Sequence, residues 1–449
     1  MRRAFLNWLP YFMAITVTVG ISLSVWPGFM SWDSLHALRE ARFGVTGGCY
    51  PTMVSYIWRP IDWIHPGLML VVQNGLFLLS LAHFLRLLNF SPRVSAFLVG
   101  AIAFSPAVFG PLLVVWKDTL VLAFFLLAIA ALLDVQLRGG IAGLWIAALG
   151  LFFGTACRFN GFTAAIPLWG WLAWLILARR MRIVSPQSLV GVTAILLVVS
   201  FLPIYVFQSF RLTTFERLPR PTPDGVMIFD LIGTSHFARN QLLPSSVVNY
   251  YPSFDIGDLD GIYFPQHAQL SFAGLGGDKP GLKLLHLDHV SHEEIWRAWK
   301  DAVQHYPLAY LRHRLSVTVQ LVIFRTPTVF YLTHNGVDPN DLGVQFRETR
   351  WTRSALRLVN MGGGTLFARV WVYYLFGALL LLILWVKKPV LWQIPTLILG
   401  SGFLYVVLFI PVASAADLCY NLFAAVAMMV GYLASYRAFF PKHLEKPSL

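Results

Sequence analysis

Charge is scarce in this chain. Only 12% of its 449 residues are Asp, Glu, Lys or Arg, about half the share of an ordinary soluble protein. With 57% apolar residues and a mean hydropathy of +0.65, lipid rather than water must be the main solvent. Cysteine is nearly absent as well. Cys49, Cys157 and Cys419 have no metal-ligand spacing and read as small buried side chains, and nothing supports a Cys49–Cys419 bridge. No glycine loop sits between a strand and a helix with a carboxylate about twenty residues on, which excludes a nucleotide-binding fold of that kind. No period recurs and no low-complexity tract interrupts the chain. Apolar residues come in blocks instead of alternating, which excludes a β-barrel. Finally, the apolar run behind Arg2 and Arg3 lacks a small-residue cleavage site after Val25, Trp26 and Pro27, so it reads as a retained first span.

What is present is a series of blocks long enough to cross hydrocarbon as helices, where each backbone N–H and C=O finds a partner inside its own segment. Candidate spans are 9–27, 67–89, 94–115, 119–136, 140–157, 161–178, 187–207, 367–386, 389–411 and 418–435. The expected fold class is therefore all-α polytopic, with about ten transmembrane helices. The net charge of +13 does not mark a nucleic-acid binder, because the clustered basic residues lie between apolar blocks and not on one soluble surface. A cytoplasmic N-terminus places Arg93, Arg138, Arg179, Arg180, Arg182, Lys387, Lys388, Arg437, Lys442 and Lys446 on the inside, as the positive-inside rule asks. Both termini are then cytoplasmic, in a bacterial inner membrane.

Two outer segments exceed mere connections. The first outer loop, 28–66, reads as two amphipathic surface helices, Trp32 to Phe43 and Met53 to Ile64, around a turn at Gly47, Gly48 and Pro51. The second, within a periplasmic domain at 208–366, is rich in Pro, Gly, Asp and His before a helical stretch from His292 to about Phe324. It separates a membrane module at 1–207, with about seven spans, from a C-terminal module at 367–449, with about three. Leu315 to Leu332 is apolar, but Arg325 and Pro327 interrupt it, so it is expected to lie on the surface.

Ionisable residues collect at the outer ends of the spans, where a lipid head group meets a water-soluble substrate. Asp33, in Ser31-Trp32-Asp33-Ser34, is placed to accept a proton from a hydroxyl or to bind a cation; its structural alternative is to cap the helix that follows. Lys117 and Asp118, in Trp116-Lys117-Asp118-Thr119, can neutralise a phosphate and position it or a metal; alternatively they form a local ion pair. Arg158, with Asn160 beside it, ends span five, where a guanidinium can grip phosphate by paired hydrogen bonds, or simply snorkel. His65, and the pair Arg59 and Asp62, close the first loop and can line the same cavity; His36 is a weaker candidate. His286, Asp288, His289, His292, Glu293 and Glu294 have a metal-like composition without a ligand pattern, and Ser291 with Glu294 has the spacing of a capping box.

Taken together these residues resemble the GT-C class of membrane glycosyltransferases, in the bacterial branch similar to protein mannosyltransferases and aminoarabinose transferases. The resemblance rests on Asp33 after span one, the outer loop with Tyr50-Pro51, Lys117-Asp118, and Arg158-Phe159-Asn160-Gly161. It also rests on His305-Tyr306-Pro307-Leu308-Ala309-Tyr310-Leu311 and on Asp417-Leu418-Cys419-Tyr420-Asn421. The chain departs from the family where members carry two adjacent acids, here Asp33-Ser34, and where Cys419 replaces a basic residue. A divalent cation as cofactor is thereby left open.

The resemblance implies a GT-C-like bundle and transfer of a sugar from a polyprenyl-phosphate donor to a glycan, lipid or protein acceptor of the cell envelope. Lys117 and Arg158 would hold the donor phosphate and Asp33 would be the base, with inversion at the anomeric carbon and the active site on the periplasmic face. Asp118, Asn160, His65 and Arg59 would line the site or position a metal. The competing readings are a lipid-linked glycan flippase or transporter, a polysaccharide polymerase or ligase, and a non-catalytic scaffold.

Overall fold

The structure is a computed structural model that describes residues 2–46, 51–158, 160–181, 184–209, 216–217, 224–250, 259–268, 271, 290–323, 332–407 and 409–441. In chain order its helices are α1 (Arg2–Val25), α2 (Trp32–Phe43), α3 (Thr52–Asp62), α4 (Leu68–Leu87), α5 (Pro92–Ala103), α6 (Phe109–Leu112), α7 (Lys117–Arg138), α8 (Ile141–Ala156), α9 (Gly161–Ala178) and α10 (Pro186–Ser209). They continue with α11 (Asp224–Ala238), α12 (Ser245–Tyr250), α13 (Leu259–Ile262), α14 (His292–His305), α15 (Pro307–Ile323), α16 (Arg350–Gly363), α17 (Val370–Lys387), α18 (Gln393–Val407) and α19 (Leu422–Phe439). The only sheet among the described residues is a two-residue parallel pairing of β1 (Val45–Thr46) with β2 (Glu216–Arg217).

The protein is an all-α polytopic membrane protein. Six helical segments, Leu6–Val25, Leu68–Leu87, Lys117–Arg138, Gly161–Ala178, Val370–Lys387 and Leu418–Phe439, are long and apolar enough to cross a bilayer, and four shorter apolar helices stand at the remaining expected spans. The expected span 94–115 is not one helix. α5 has 12 residues, about 18 Å of helix against the ~30 Å of hydrocarbon. Pro106, Gly110 and Pro111 break the run, because proline removes a donor and crowds the preceding turn. Two amides of α4 repair the break from the side: Gln73 Nε2 donates to the Val114 carbonyl at 2.7 Å and Asn74 Nδ2 to that of Leu112 at 2.8 Å. All four residues are buried, so freed carbonyls are satisfied where water is absent.

The chain divides into two compact units. The first comprises Met1–Pro219, Leu332–Val406 and Cys419–Leu449. Its axis is α7, packed on α4, α8, α9 and α19. α8 approaches closely because Gly150 and Gly154 face α7: a Cβ on Gly150 would stand 2.9 Å from the Phe124 carbonyl oxygen, and one on Gly154 2.6 Å from the Phe125 ring. The outgoing end of α1 and the first turns of α4 and α7 meet on one face, where Gly28 lies against Leu70 and Val115. Arg86, Arg179 and Arg437 occupy the other ends of α4, α9 and α19 and bond there to Asn7 and to the carbonyls of Gly140 and Asn89.

The second unit comprises Arg220–Tyr331 with Val407–Leu418. The helical stretch from His292 is two helices, interrupted at Tyr306-Pro307, where proline lacks the donor a continuing helix needs. Of the stretch Leu315 to Leu332, residues 315–323 belong to α15, whose His313, Arg314, Val317 and Leu321 are buried. Its interior is held by a buried polar network. Asp230 accepts from Trp299 Nε1 at 2.8 Å and pairs with Arg314 at 2.6 Å and His313 Nε2 at 3.0 Å, while His313 Nδ1 meets the Tyr263 hydroxyl at 3.0 Å. Burial holds His313 below the ordinary histidine range and keeps it neutral, opposed by its hydrogen bond to Asp230. The capping box expected of Ser291 and Glu294 does not form. Ser291 occupies the cap position without a side-chain bond, and the Glu294 carboxylate accepts from Ser246 instead. Of the metal-like cluster, His286, Asp288 and His289 lie outside the described residues, and the described residues hold no group of three potential ligands.

Candidate active site

The chain leaving α1 is strapped to the segment that enters α7. Phe29 N donates to the Leu113 carbonyl at 3.0 Å, and Val115 N to that of Phe29 at 2.9 Å. Next to it, Trp116 Nε1 donates to Ser31 Oγ at 3.0 Å and Ser34 Oγ to the Val115 carbonyl at 2.6 Å. Met30 is paired on its other side with Gly336 and Asp338. These bonds set the first turn of α2 beside the first turn of α7. Residues more than eighty apart in sequence thereby meet: Lys117 Nζ lies 2.7 Å from Asp33 Oδ2.

Asp33 is not a helix cap. α2 begins at Trp32 with Ser31 in the cap position, which leaves Asp33 in the first turn, where a carboxylate faces the positive end of the helix dipole. Its side chain is 40% exposed and that of Lys117 15%, so the acid is open to an incoming group while the ammonium stands behind it. The pair lines a narrow cleft with a free volume of about 20 Å³, walled by Ser34, Ala37, Val54, Trp58, Met69, Val115 and Trp116. Two ionic groups beside two indoles offer contacts to both a charged and an apolar group.

Lys117 and Asp118 do not pair with each other. Neighbours on a helix point about 100° apart, so Lys117 turns to α2 and Asp118 to the segment between α8 and α9. There Asp118 forms a buried ion pair with Arg158. Arg158 Nε also donates to Asn160 Oδ1 at 2.8 Å, and its guanidinium lies 4.7 Å from the centre of the Tyr420 ring. Asn160 Nδ2 reaches the Tyr405 carbonyl at 3.4 Å. The side chains of Asp118 and Arg158 are 2% and 8% exposed, and neither lines the Asp33–Lys117 cleft. The four charges thus form two couples, joined through the first turn of α7, with equal numbers of acids and bases.

His65 is elsewhere. It stacks on Trp26 with ring centres 4.7 Å apart, accepts at Nδ1 from Gly67 N, and lines a separate hollow with Pro27, Arg42, Gly343 and Arg347. Arg59, on α3, lies outside the Asp33–Lys117 cleft. Asp62 is held by Arg42 through two bonds of 2.7 and 2.9 Å; the planar fork of arginine matches both carboxylate oxygens. His36 faces Glu40, a buried carboxylate that accepts from Ser55 at 2.9 Å. Sequence reasoning passed over Ser31, Ser34 and Trp116, which position the site. It also passed over the adjacent amides Gln73 and Asn74, whose polarity inside an apolar block was the available signal.

Fold and site together define a polytopic helical membrane protein with a charged cleft at one end of its span bundle. No family model matches the sequence, and no curated protein does. Among solved structures the chain is similar to the crystal structure of ArnT from Cupriavidus metallidurans bound to undecaprenyl phosphate, at 11% identity over 96% of this chain and 77% of that one, with a TM-score of 0.34. A likeness of that size assigns no residue and no activity.

Proposed function

We propose that the protein is a GT-C-like glycosyltransferase that moves a sugar from a polyprenyl-phosphate donor to a glycan, lipid or protein acceptor on the periplasmic face of the bacterial inner membrane. The observation that carries this reading is the Asp33–Lys117 contact of 2.7 Å in a cleft with apolar walls at the ends of the spans. The family resemblance of the motifs supplies the reaction. Lys117 and the positive end of α7 offer a phosphate a favourable electrostatic seat. When the ammonium is shared with a donor phosphate, its hold on Asp33 loosens, and the carboxylate can take the proton of the attacking hydroxyl. The departing lipid phosphate carries the developing negative charge, which Lys117 stabilises. Attack opposite the leaving group inverts the anomeric carbon.

Arg158 takes a different part in this reading. Being engaged with Asp118, Asn160 and Tyr420, it holds the entry to α9 against α7 and so keeps Lys117 aimed at the cleft; Asp118 and Asn160 position it. The outer side is proposed from the basic residues at the opposite ends of the spans. The test is transfer of radiolabelled sugar from polyprenyl-phosphate donors to envelope acceptors in membrane vesicles, with wild type and Asp33→Asn at matched expression. Transfer abolished by the substitution supports the enzyme and its base together. Failure of every donor with the wild-type protein overturns the enzyme reading in favour of transport.

A further inference from the structure

α16 has three distinct faces. Thr352, Ala355, Val359 and Gly363 are buried against the protein. Trp351, Leu358 and Met361 form an apolar stripe that is 60%, 43% and 75% exposed. Arg350, Arg353 and Arg357, three and four residues apart and all exposed, form a basic stripe beside it. Both ends of the helix are fixed at one rim of the span bundle. In its first turn Thr352 Oγ donates at 2.7 Å to the Ser24 carbonyl at the end of α1. In its last turn a Cβ on Gly362 would stand 3.0 Å from Pro106, in the break between α5 and α6. A 3-10 turn, Leu366–Ala368, then leads directly into α17, and its Leu366 and Phe367 are also exposed, at 65% and 64%. A helix tied at both ends to one rim runs along the membrane surface and not through it. The apolar stripe then enters the acyl boundary while the basic stripe sits at the level of the phosphates.

We infer that α16 is an in-plane docking helix for anionic phospholipid, with Arg350, Arg353 and Arg357 as the head-group contacts and Trp351, Leu358 and Met361 as the part immersed in lipid. Charge complementarity selects this occupant. Within α16 there is no acidic residue, and Glu348 just before it meets Arg353 only at 3.7 Å in an exposed pair, too weak to neutralise the stripe. A cation at a membrane surface attracts anionic lipid, whereas a zwitterionic head group offers no net charge.

The test labels Met361→Cys with an environment-sensitive fluorophore in the full-length protein carrying Cys49→Ser; Cys157 and Cys419 are buried. The protein is placed in phosphatidylcholine vesicles containing equal fractions of spin-labelled phosphatidylglycerol or spin-labelled phosphatidylcholine. Quenching by the anionic probe is expected to exceed that by the zwitterionic one by about threefold or more. It should fall to parity in the Arg350→Gln, Arg353→Gln, Arg357→Gln protein and survive in the triple lysine variant. A label at Phe376→Cys, on the exposed side of α17, should be quenched equally by both probes with or without the arginines, which reports that the bundle is intact. Equal quenching by the two probes at position 361 of the otherwise native chain overturns the inference, and so does absence of quenching by both. Neither result bears on the catalytic reading.

Discussion

Replacing Arg158 by glutamine would strip the partner from Asp118, whose side chain is 2% exposed. Breaking a buried pair by removing one member costs ~3–5 kcal/mol. Loss of the guanidinium over Tyr420, 4.7 Å from the ring centre, adds ~0.5–2 kcal/mol. Proton uptake limits the first of these costs, since neutralising an ordinary carboxyl at pH 7 costs about 4 kcal/mol. The expected loss is therefore about 4–6 kcal/mol. Asp118→Asn leaves a guanidinium that cannot neutralise itself, so although Asn160 and Tyr420 stay in place it should also cost about 3–5 kcal/mol. The double variant contains two neutral amides and no orphaned charge, so it should be more stable than Arg158→Gln alone. Unfolding in mixed detergent micelles, followed by helicity, measures all four corners of this cycle. Either of two results would refute the reasoning: a double variant whose loss equals the sum of the singles, or Arg158→Gln within about 0.5 kcal/mol of the native protein.

Three further outcomes follow from packing and burial. Gly154→Leu should destabilise the bundle by ~1–3 kcal/mol or more by driving α8 from α7, whereas Gly191→Leu, whose added Cβ meets nothing within 4 Å, should be silent in the same unfolding assay. Gln73→Leu and Asn74→Leu should each cost ~1–3 kcal/mol by stranding the Val114 and Leu112 carbonyls, and should lower sugar transfer because those residues lead directly into Lys117; unaltered transfer at wild-type stability would contradict this. For His313 the folded value lies below the ordinary 6.5, chiefly from burial. The unfolded chain therefore binds the extra proton first, and the stabilisation is complete above about pH 6.5 and lost as pH falls below it. The protection factors of the α11 and α15 amides, with the intrinsic slowing of exchange at lower pH divided out, should fall on going from about pH 7.5 to about pH 5, and His313→Gln should flatten that dependence.

The spans were legible because burial in lipid is a composition signal: a block of about twenty apolar residues is its own evidence. The two first-loop helices were legible through their helical periodicity, and they occur at Trp32–Phe43 and Thr52–Asp62. Breaks were harder to read. Pro106, Gly110 and Pro111 stood in plain view, yet whether a proline bends or ends a span depends on whether a neighbour can satisfy the freed carbonyls. Gln73 and Asn74 do that from another helix. α16 was overlooked because its arginines lower the mean hydropathy and its apolar face is narrow.

The candidate site divides along the same line. That Asp33, Lys117, Asp118 and Arg158 deserved attention followed from their chemistry, since charge beside an apolar block is costly unless it has a partner or a task. Their partners did not follow from it. Tertiary packing assigned Lys117 to Asp33 and Asp118 to Arg158, although Lys117 and Asp118 are adjacent, because a helix turns consecutive side chains to different neighbours. It also gave Asp62 to Arg42 and moved His65 to another hollow. The sequence by itself determined the solvent, most of the apolar helices and the residues whose charge is costly in lipid, all of which are local energies. Pairing among those residues is a matter of distance between segments far apart in the chain, and only the packed helices decide it.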